Sequence, residues 1–247
     1  MLEYSKIKIL LLTAYRTVEN FFFEVKGSMA AKNGFIVLEE YLCDEHCDVL
    51  INEINQLPTG SVKSFDNDKR IFGSQHLSNV ISKYFANRLD LIDFGELMVR
   101  RKLRFQTTLA GHISYKEGAL GSGGGWHVDS HSVQFKAMIY LTDVSEDNGP
   151  FEVIPGSHKP KWFLVFLLRN WFSFTSITRF DNQLVSKYDT KKMMGKRGTV
   201  VLFNPLLIHR GLPVTKGERY ALTNYYVNNK VPVGTAIDNL DKEQQLS

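Results

Sequence analysis

The 247-residue chain lacks most of the features that would assign it to a specialised class. It has only two cysteines, Cys43 and Cys47. A structural zinc site needs two further ligands, and only His46 is close, so the pair is expected as reduced thiols on one face of a helix. A strong charge imbalance is also missing. Thirty Lys and Arg against 26 Asp and Glu leave a formal net charge of +4. That permits acidic ligands but is far from a nucleic-acid-binding signature. No apolar run is long enough to span a bilayer. The opening "KIKILLLTAY" has basic residues before a short apolar run, with no clean small-residue cleavage site after it, and is expected as helix rather than signal peptide. There is no internal repeat and no biased stretch beyond the glycines of 121–125. A hydrophobic share of 43% and a charged share of 23% are ordinary for one sizeable globular domain. The expected setting is cytoplasmic, with no nucleic-acid partner and membrane association as a second option.

Periodicity divides the chain. Apolar residues at Ile7, Leu10, Leu11, Ala14, Val18, Phe21, Phe22 and Val25 have helical spacing. "KNGFIVLEEYL" predicts a short strand after a turn, and Asp44 a helix cap ahead of a stripe at Cys47, Leu50, Ile51 and Ile54 that stops before Pro58. "SVKSFDNDKRIFGS" is polar and loop-like, and a further helix carries Leu77, Val80, Ile81 and Tyr84. After residue 100 the segments "LRFQTTLAGHISY", "SVQFKAMIYLTDV", "FEVI", "GTVVLF", "LLIHRG" and "RYALTNYYV" predict short strands separated by Gly, Pro and Asn. Helices first and many strands after give an α+β order with a β core, an antiparallel barrel or jelly roll. The exception is "WFLVFLLRNWFSF" at 162–174, apolar on all sides of any helix drawn through it. A buried helix or an oligomer contact is the plain expectation; a lid or a membrane-facing surface is the other.

Chemistry concentrates in "WHVDSH", residues 126–131. His127 and Asp129 are two apart, so on an extended segment they point to the same side and can bind one cation together. A second, distant histidine, His209 in "LLIHRG", completes a set of two imidazoles and one carboxylate, which leaves three positions open on an octahedral metal and suits a non-haem Fe(II) oxygenase. Such a metal needs electrons from a co-substrate. Arg219, ten residues after His209, offers the planar fork that would hold the far carboxylate of a dicarboxylic keto acid, the alternative being a surface ion pair with Glu218. Two histidines and an aspartate also allow zinc in a hydrolytic role, and a non-catalytic binding module is the remaining alternative.

"WHVDSH", "DNGPFEVIPGSHK", "FNPLLIHRG" and "RYALTNYYV" together resemble the phytanoyl-CoA dioxygenase family of Fe(II)- and 2-oxoglutarate-dependent oxygenases, from "NGFIVLEEYL" to about Val227. The resemblance implies a double-stranded β-helix (jelly roll, cupin-like) with flanking N-terminal helices, iron on His127, Asp129 and His209, 2-oxoglutarate on Arg219, and dioxygen as the oxidant. It further implies domain limits: an N-terminal extension at 1–30, a dioxygenase domain at 31–230 with an apolar insertion at 161–185, and a tail at 231–247. Asp129 favours hydroxylation, because halogenating relatives have Gly or Ala there. Relatives often carry Ser or Thr two residues after the distal His or the Arg; here these are Gly211 and Ala221, so another donor must serve. Lys136, which alternates with Met138 and Tyr140, is one candidate if that face is the cavity and a solvent-facing lysine if it is not, and Gln106 and Thr108, which share a strand face with His112, are weaker ones. His131 is expected at the rim. The substrate is expected to be a small molecule, lipid or sugar-linked compound, and 162–174 is the expected place for peripheral membrane contact or a homodimer.

Overall fold

The computed structural model describes residues 6–8, 10, 11, 13, 32–58, 63–65, 67–119, 124–129, 134–171, 176, 178–231 and 238. Of the predicted N-terminal helix only residues 6–8, 10, 11 and 13 are described, and these are helical. His131 and residues 172–174 lie outside the described set.

The chain enters through β1 (Phe35–Leu38) and α1 (Asp44–Gln56). Asp44 is the first residue inside α1 and Cys43 holds the cap position without a side-chain bond, so Asp44 acts on the helix dipole rather than as the cap. Cys47 is buried and Cys43 exposed. The stretch expected as loop is a hairpin, β2 (Lys63–Phe65) and β3 (Asp68–Ile71). Its polar residues hid it: β3 is held by ladder bonds to β4 and buries Ile71 in the core. The helix expected through Leu77–Tyr84 is broken into α2 (Ser74–Leu77), α3 (Asn79–Ile81) and a π turn at Ser82–Ala86, with the Ser78 hydroxyl accepting from Val80 and Ile81. A helix not predicted, α4 (Leu89–Val99), follows. It lies close on the sheet at Gly95, where a methyl group would stand 2.4 Å from the Phe135 ring.

The β unit is β4 (Leu103–Ser114), β5 (Trp126–His127), β6 (Gln134–Tyr140) and β7 (Phe151–Val153), then α5 (Pro160–Arg169), β8 (Arg179–Phe180) and α6 (Asn182–Val185). It ends with β9 (Lys191–Met193), β10 (Val200–Phe203), β11 (His209–Gly211) and β12 (Glu218–Asn228). Every strand pairing is antiparallel. A major sheet runs β1-β10-β6-β12-β4-β3-β2 and a minor one β8-β5-β11-β7-β9. From β4 to β7 and again from β9 to β12 consecutive strands alternate between the sheets, as in a jelly roll.

Three apolar clusters stack through the layers. On the outer face of the major sheet, Phe135, Ala137, Ile139 and Leu222 pack on Leu50, Ile54, Phe85 and Leu91 of the helices. Between the sheets lie Phe35, Tyr140, Phe151, Val153 and Phe203. On the outer face of the minor sheet, Trp126, Phe180 and Ile208 pack on Phe163, Phe166 and Leu167 of α5. The puzzling apolar segment is thus, over 160–169, a helix that buries one side, while Val165 (40%) and Leu168 (58%) remain exposed on the other. Among the described residues no helix is long and apolar enough to cross a membrane.

Candidate active site

His127 closes β5 and His209 opens β11, and the two are directly opposite in the ladder. Their ring centroids are 4.3 Å apart. Asp129 follows two residues after His127, its backbone N–H donating to the Pro205 carbonyl at 3.2 Å. Its Oδ1 lies 3.6 Å from His127 Nε2 and its Oδ2 3.7 Å from His209 Nε2. One donor atom from each of the three residues falls within 4.8 Å of the others, a separation a single ion spans. Both rings are oriented from behind. His127 Nδ1 donates to the Gly125 carbonyl at 2.9 Å and His209 Nδ1 to the Leu207 carbonyl at 2.8 Å. That fixes the tautomer with a lone pair on each Nε2, the arrangement usual behind metal-binding histidines. Gly125, at φ +88°, supplies the left-handed turn that brings its carbonyl to the ring.

Burial, only partly offset by Asp129, lowers the His209 pKa to about 4, so the imidazole is neutral. Burial acts to raise the Asp129 pKa, but Lys136 and His209 outweigh it and hold the carboxyl far below its ordinary range. Lys136 and Met138 both project from β6 into the cavity, the inward one of the two faces the sequence left open, yet Lys136 is already engaged. Its Nζ is 2.7 Å from Asp129 Oδ2 and 4.1 Å from the Tyr225 ring centroid. Burial acts to lower its pKa, and Asp129 with Tyr225 more than reverses this.

The opposite wall is the inner face of the major sheet. Asp68, Ile113 and Arg219 stand side by side across β3, β4 and β12, and Arg70, Gly111, Ala221 and Tyr140 form the next row. All but Tyr140 line a cavity of about 150 Å³ that also reaches His127, Asp129 and His209. Arg219 is buried, and its Nη1 has no hydrogen-bond partner among the described residues. Desolvation pushes its pKa down. The alternative partner, Glu218, points the other way and bonds His112 at 2.8 Å. A buried guanidinium with an idle N–H is costly unless an anion completes it, so the cavity suits a carboxylate there.

Two expectations fail. Thr108 faces the helices, its hydroxyl donating to Asn224 at 2.7 Å. Gln106 sits where the β4–β12 register shifts and donates to Asp238 at 3.1 Å. Neither lines the cavity, because the inward parity of β4 is that of Leu109, Gly111 and Ile113. Missed instead were Asp68 and Arg70, joined at 3.0 Å, since their hairpin was taken for loop. The "IPGSHK" turn is scaffold. The Ser157 hydroxyl donates to the Ile154 carbonyl at 2.7 Å and accepts from Ile208 N at 2.8 Å, beside His209.

Fold and family together make the protein an Fe(II)- and 2-oxoglutarate-dependent oxygenase of the double-stranded β-helix class. More narrowly, it belongs to the phytanoyl-CoA dioxygenase family, whose model matches residues 30–221. No curated protein matches the chain. Among solved structures it is similar to HygX from Streptomyces hygroscopicus with nickel and 2-oxoglutarate bound, at 18% identity and TM-score 0.63 over 86% of this chain and 87% of that one. The epimerase SnoN, in complex with Fe3+, alpha-ketoglutarate and nogalamycin RO, has 15% identity and TM-score 0.66 over 84% and 85%. EctD from S. alaskensis with bound iron has 20% identity and TM-score 0.60 over 81% and 74%.

Proposed function

We propose that His127, Asp129 and His209 hold Fe(II), that Arg219 takes the far carboxylate of 2-oxoglutarate, and that the protein hydroxylates a C–H bond of a small-molecule, lipid or sugar-linked substrate. One observation carries this reading: a three-donor cluster and a buried guanidinium with an idle N–H share one cavity. When bound, iron with 2-oxoglutarate and dioxygen supplies a two-electron oxidation that releases succinate and carbon dioxide.

The chain's own residues hold and orient. Gly125 and Leu207 carbonyls keep both Nε2 atoms turned toward the ion. Lys136 engages one oxygen of Asp129 and so orients the carboxylate ligand, rather than anchoring the co-substrate. With Gly211 and Ala221 offering no hydroxyl, Arg70 is the second donor beside Arg219, reaching across the open space at Gly111, where an added methyl group would meet only the Ala221 carbonyl at 3.7 Å. Phe151, Phe203 and Met138 form an apolar part of the cavity lining and would limit water beside a bound ion. Residues 31–230 form the catalytic unit, with 161–185 inserted between β7 and β9. The hygromycin B and nogalamycin RO bound in HygX and SnoN support a small-molecule substrate.

The test is anaerobic titration of the protein with Fe(II) and then 2-oxoglutarate, following the visible charge-transfer absorption of the chelate. The expected band is lost in His209→Ala and needs far more 2-oxoglutarate in Arg219→Ala. Tight zinc with no 2-oxoglutarate binding would instead favour a hydrolase. A second reading concerns α5, where exposed Val165 and Leu168 lie near Lys161 and Arg169 as a surface for an anionic membrane or a second copy. Flotation with anionic liposomes and sedimentation of Val165→Ser/Leu168→Ser decide between them. Phe166 is unsuitable for that test because it is buried.

A further inference from the structure

We infer that Arg179 binds an anionic group of the substrate, a carboxylate or a phosphate, at the mouth of the metal site, so that the compound oxidised is an acid. This rests on the iron-site reading above. β8 is the outermost strand of the minor sheet, and its Arg179 is directly opposite His127. Val128 N donates to the Thr178 carbonyl at 2.9 Å, which makes 128 and 178 a hydrogen-bonded pair. The pair 127 and 179 is therefore of the non-hydrogen-bonded kind, in which facing side chains come closest, with Cβ atoms about 4.5–5.5 Å apart. The neighbouring pair, Trp126 and Phe180, is buried in the apolar cluster under α5 on the sheet's outer face. Alternation then puts Arg179 on the inner face, in one row with His127 and His209.

The side chain is exposed, and among the described residues it makes no hydrogen bond or ion pair. Arg210 on the outer face shows what a structural arginine of this sheet looks like: its Nε is 2.7 Å from Glu152 and its guanidinium stacks on Trp126. Charge points the same way. Arg70, Lys136 and Arg219 line the cavity against Asp68 and Asp129, an excess of one positive charge. A divalent ion and the 2-oxoglutarate dianion cancel each other, and Arg179 adds a second positive charge at the rim. A neutral or cationic substrate would leave both uncompensated, whereas an acid held by Arg179 offsets one as a carboxylate or both as a phosphate dianion and is fixed beside His127. The C–H bond oxidised would then lie close to the acid group.

The experiment uses the full chain with Mn(II) and 2-oxoglutarate, the Mn(II) serving as a paramagnetic probe. Inorganic phosphate is followed by 31P relaxation and acetate by its methyl proton relaxation, with Mn(II) occupancy measured separately by electron paramagnetic resonance. Expected is enhanced relaxation of at least one anion in wild type, reduced tenfold or more in Arg179→Gln, partly kept in Arg179→Lys, at unchanged Mn(II) affinity. Enhancement of phosphate alone assigns a phosphomonoester, of acetate alone a carboxylic acid, and of both an oxyanion site serving either. Equal relaxation in Arg179→Gln and wild type, or none in a wild type that has bound Mn(II), overturns the inference. Mn(II) binding that is absent, or indifferent to His127→Ala, overturns the metal-site reading and the Arg179 inference with it.

Discussion

The two walls of the cavity are built differently. The major sheet contributes Arg219 from the eleven-residue β12, Lys136 from the seven-residue β6 and Arg70 from the four-residue β3, and β4 and β12 pair over eleven positions with one register shift. Its outer face is backed by the largest apolar cluster. The minor sheet carries the proposed metal-binding set on, or two residues after, strands of two and three residues, and β5 meets β11 through one residue pair. Long ladders fix side-chain direction by repetition. Short ones cannot, so His127, Asp129 and His209 are placed by single backbone bonds to Gly125, Pro205 and Leu207, by Ser157, and by the Trp126–Phe180–α5 cluster behind them. The difference teaches that the metal side of the site depends on its packing, and the co-substrate side on its sheet.

The largest expected effects remove that placement outright. His127→Ala, Asp129→Ala and His209→Ala should each abolish iron-dependent succinate release while circular dichroism stays that of the wild type; near-normal turnover in any one removes it from the metal-binding set. Next comes the cluster under the minor sheet. Phe166→Ala should cost about 3–5 kcal/mol of stability, the range for a buried aromatic, and also weaken Fe(II) binding. Leu222→Ala, behind the major sheet, should cost about 2–5 kcal/mol with Fe(II) affinity unchanged. Denaturant melts with parallel metal titrations compare them, and equal metal affinities in the two variants would erase the contrast between walls.

On the co-substrate side, Arg219→Ala should weaken 2-oxoglutarate by about 2–5 kcal/mol, as for truncating one partner of a buried charge pair, with Fe(II) affinity kept. Arg219→Lys should recover part of it, because lysine lacks the fork. An unaltered 2-oxoglutarate affinity would shift the anchor to Arg70. The smallest effect is at Ser157→Ala, which leaves Ile208 N unpartnered beside His209, while Ile154 O keeps the Ser157 N–H, and should cost about 1–3 kcal/mol. Hydrogen exchange should then rise at residues 207–211 and not in β12.

Much of this was legible in order. The HxD spacing of His127 and Asp129 needs only extended backbone to bring both side chains to one side, and Arg219 could be distinguished from Glu218 by resemblance alone. Lys136 was grouped with Met138 by alternation, which left its cavity-facing and solvent-facing alternatives open, and its partner was not legible, since nothing local links it to Asp129 seven residues away. Gln106 and Thr108 were assigned to one face of β4 and then to the wrong side of the sheet. Alternation says which residues agree, never which of two faces is the cavity.

The sequence by itself determined β4, β6, β7, β10, β11 and β12, the jelly-roll class and the three candidate donors, because strand periodicity and ligand chemistry are local properties, whereas β8, β9 and α6 are too short to show a period. Only the tertiary structure decided that the 63–71 segment is an edge hairpin bringing Asp68 and Arg70 to the site, that Lys136 serves Asp129, and that Arg179 stands opposite His127. Each of these depends on the register between strands distant in the chain, and register is fixed by which faces the three apolar clusters bury, a choice made by the whole molecule.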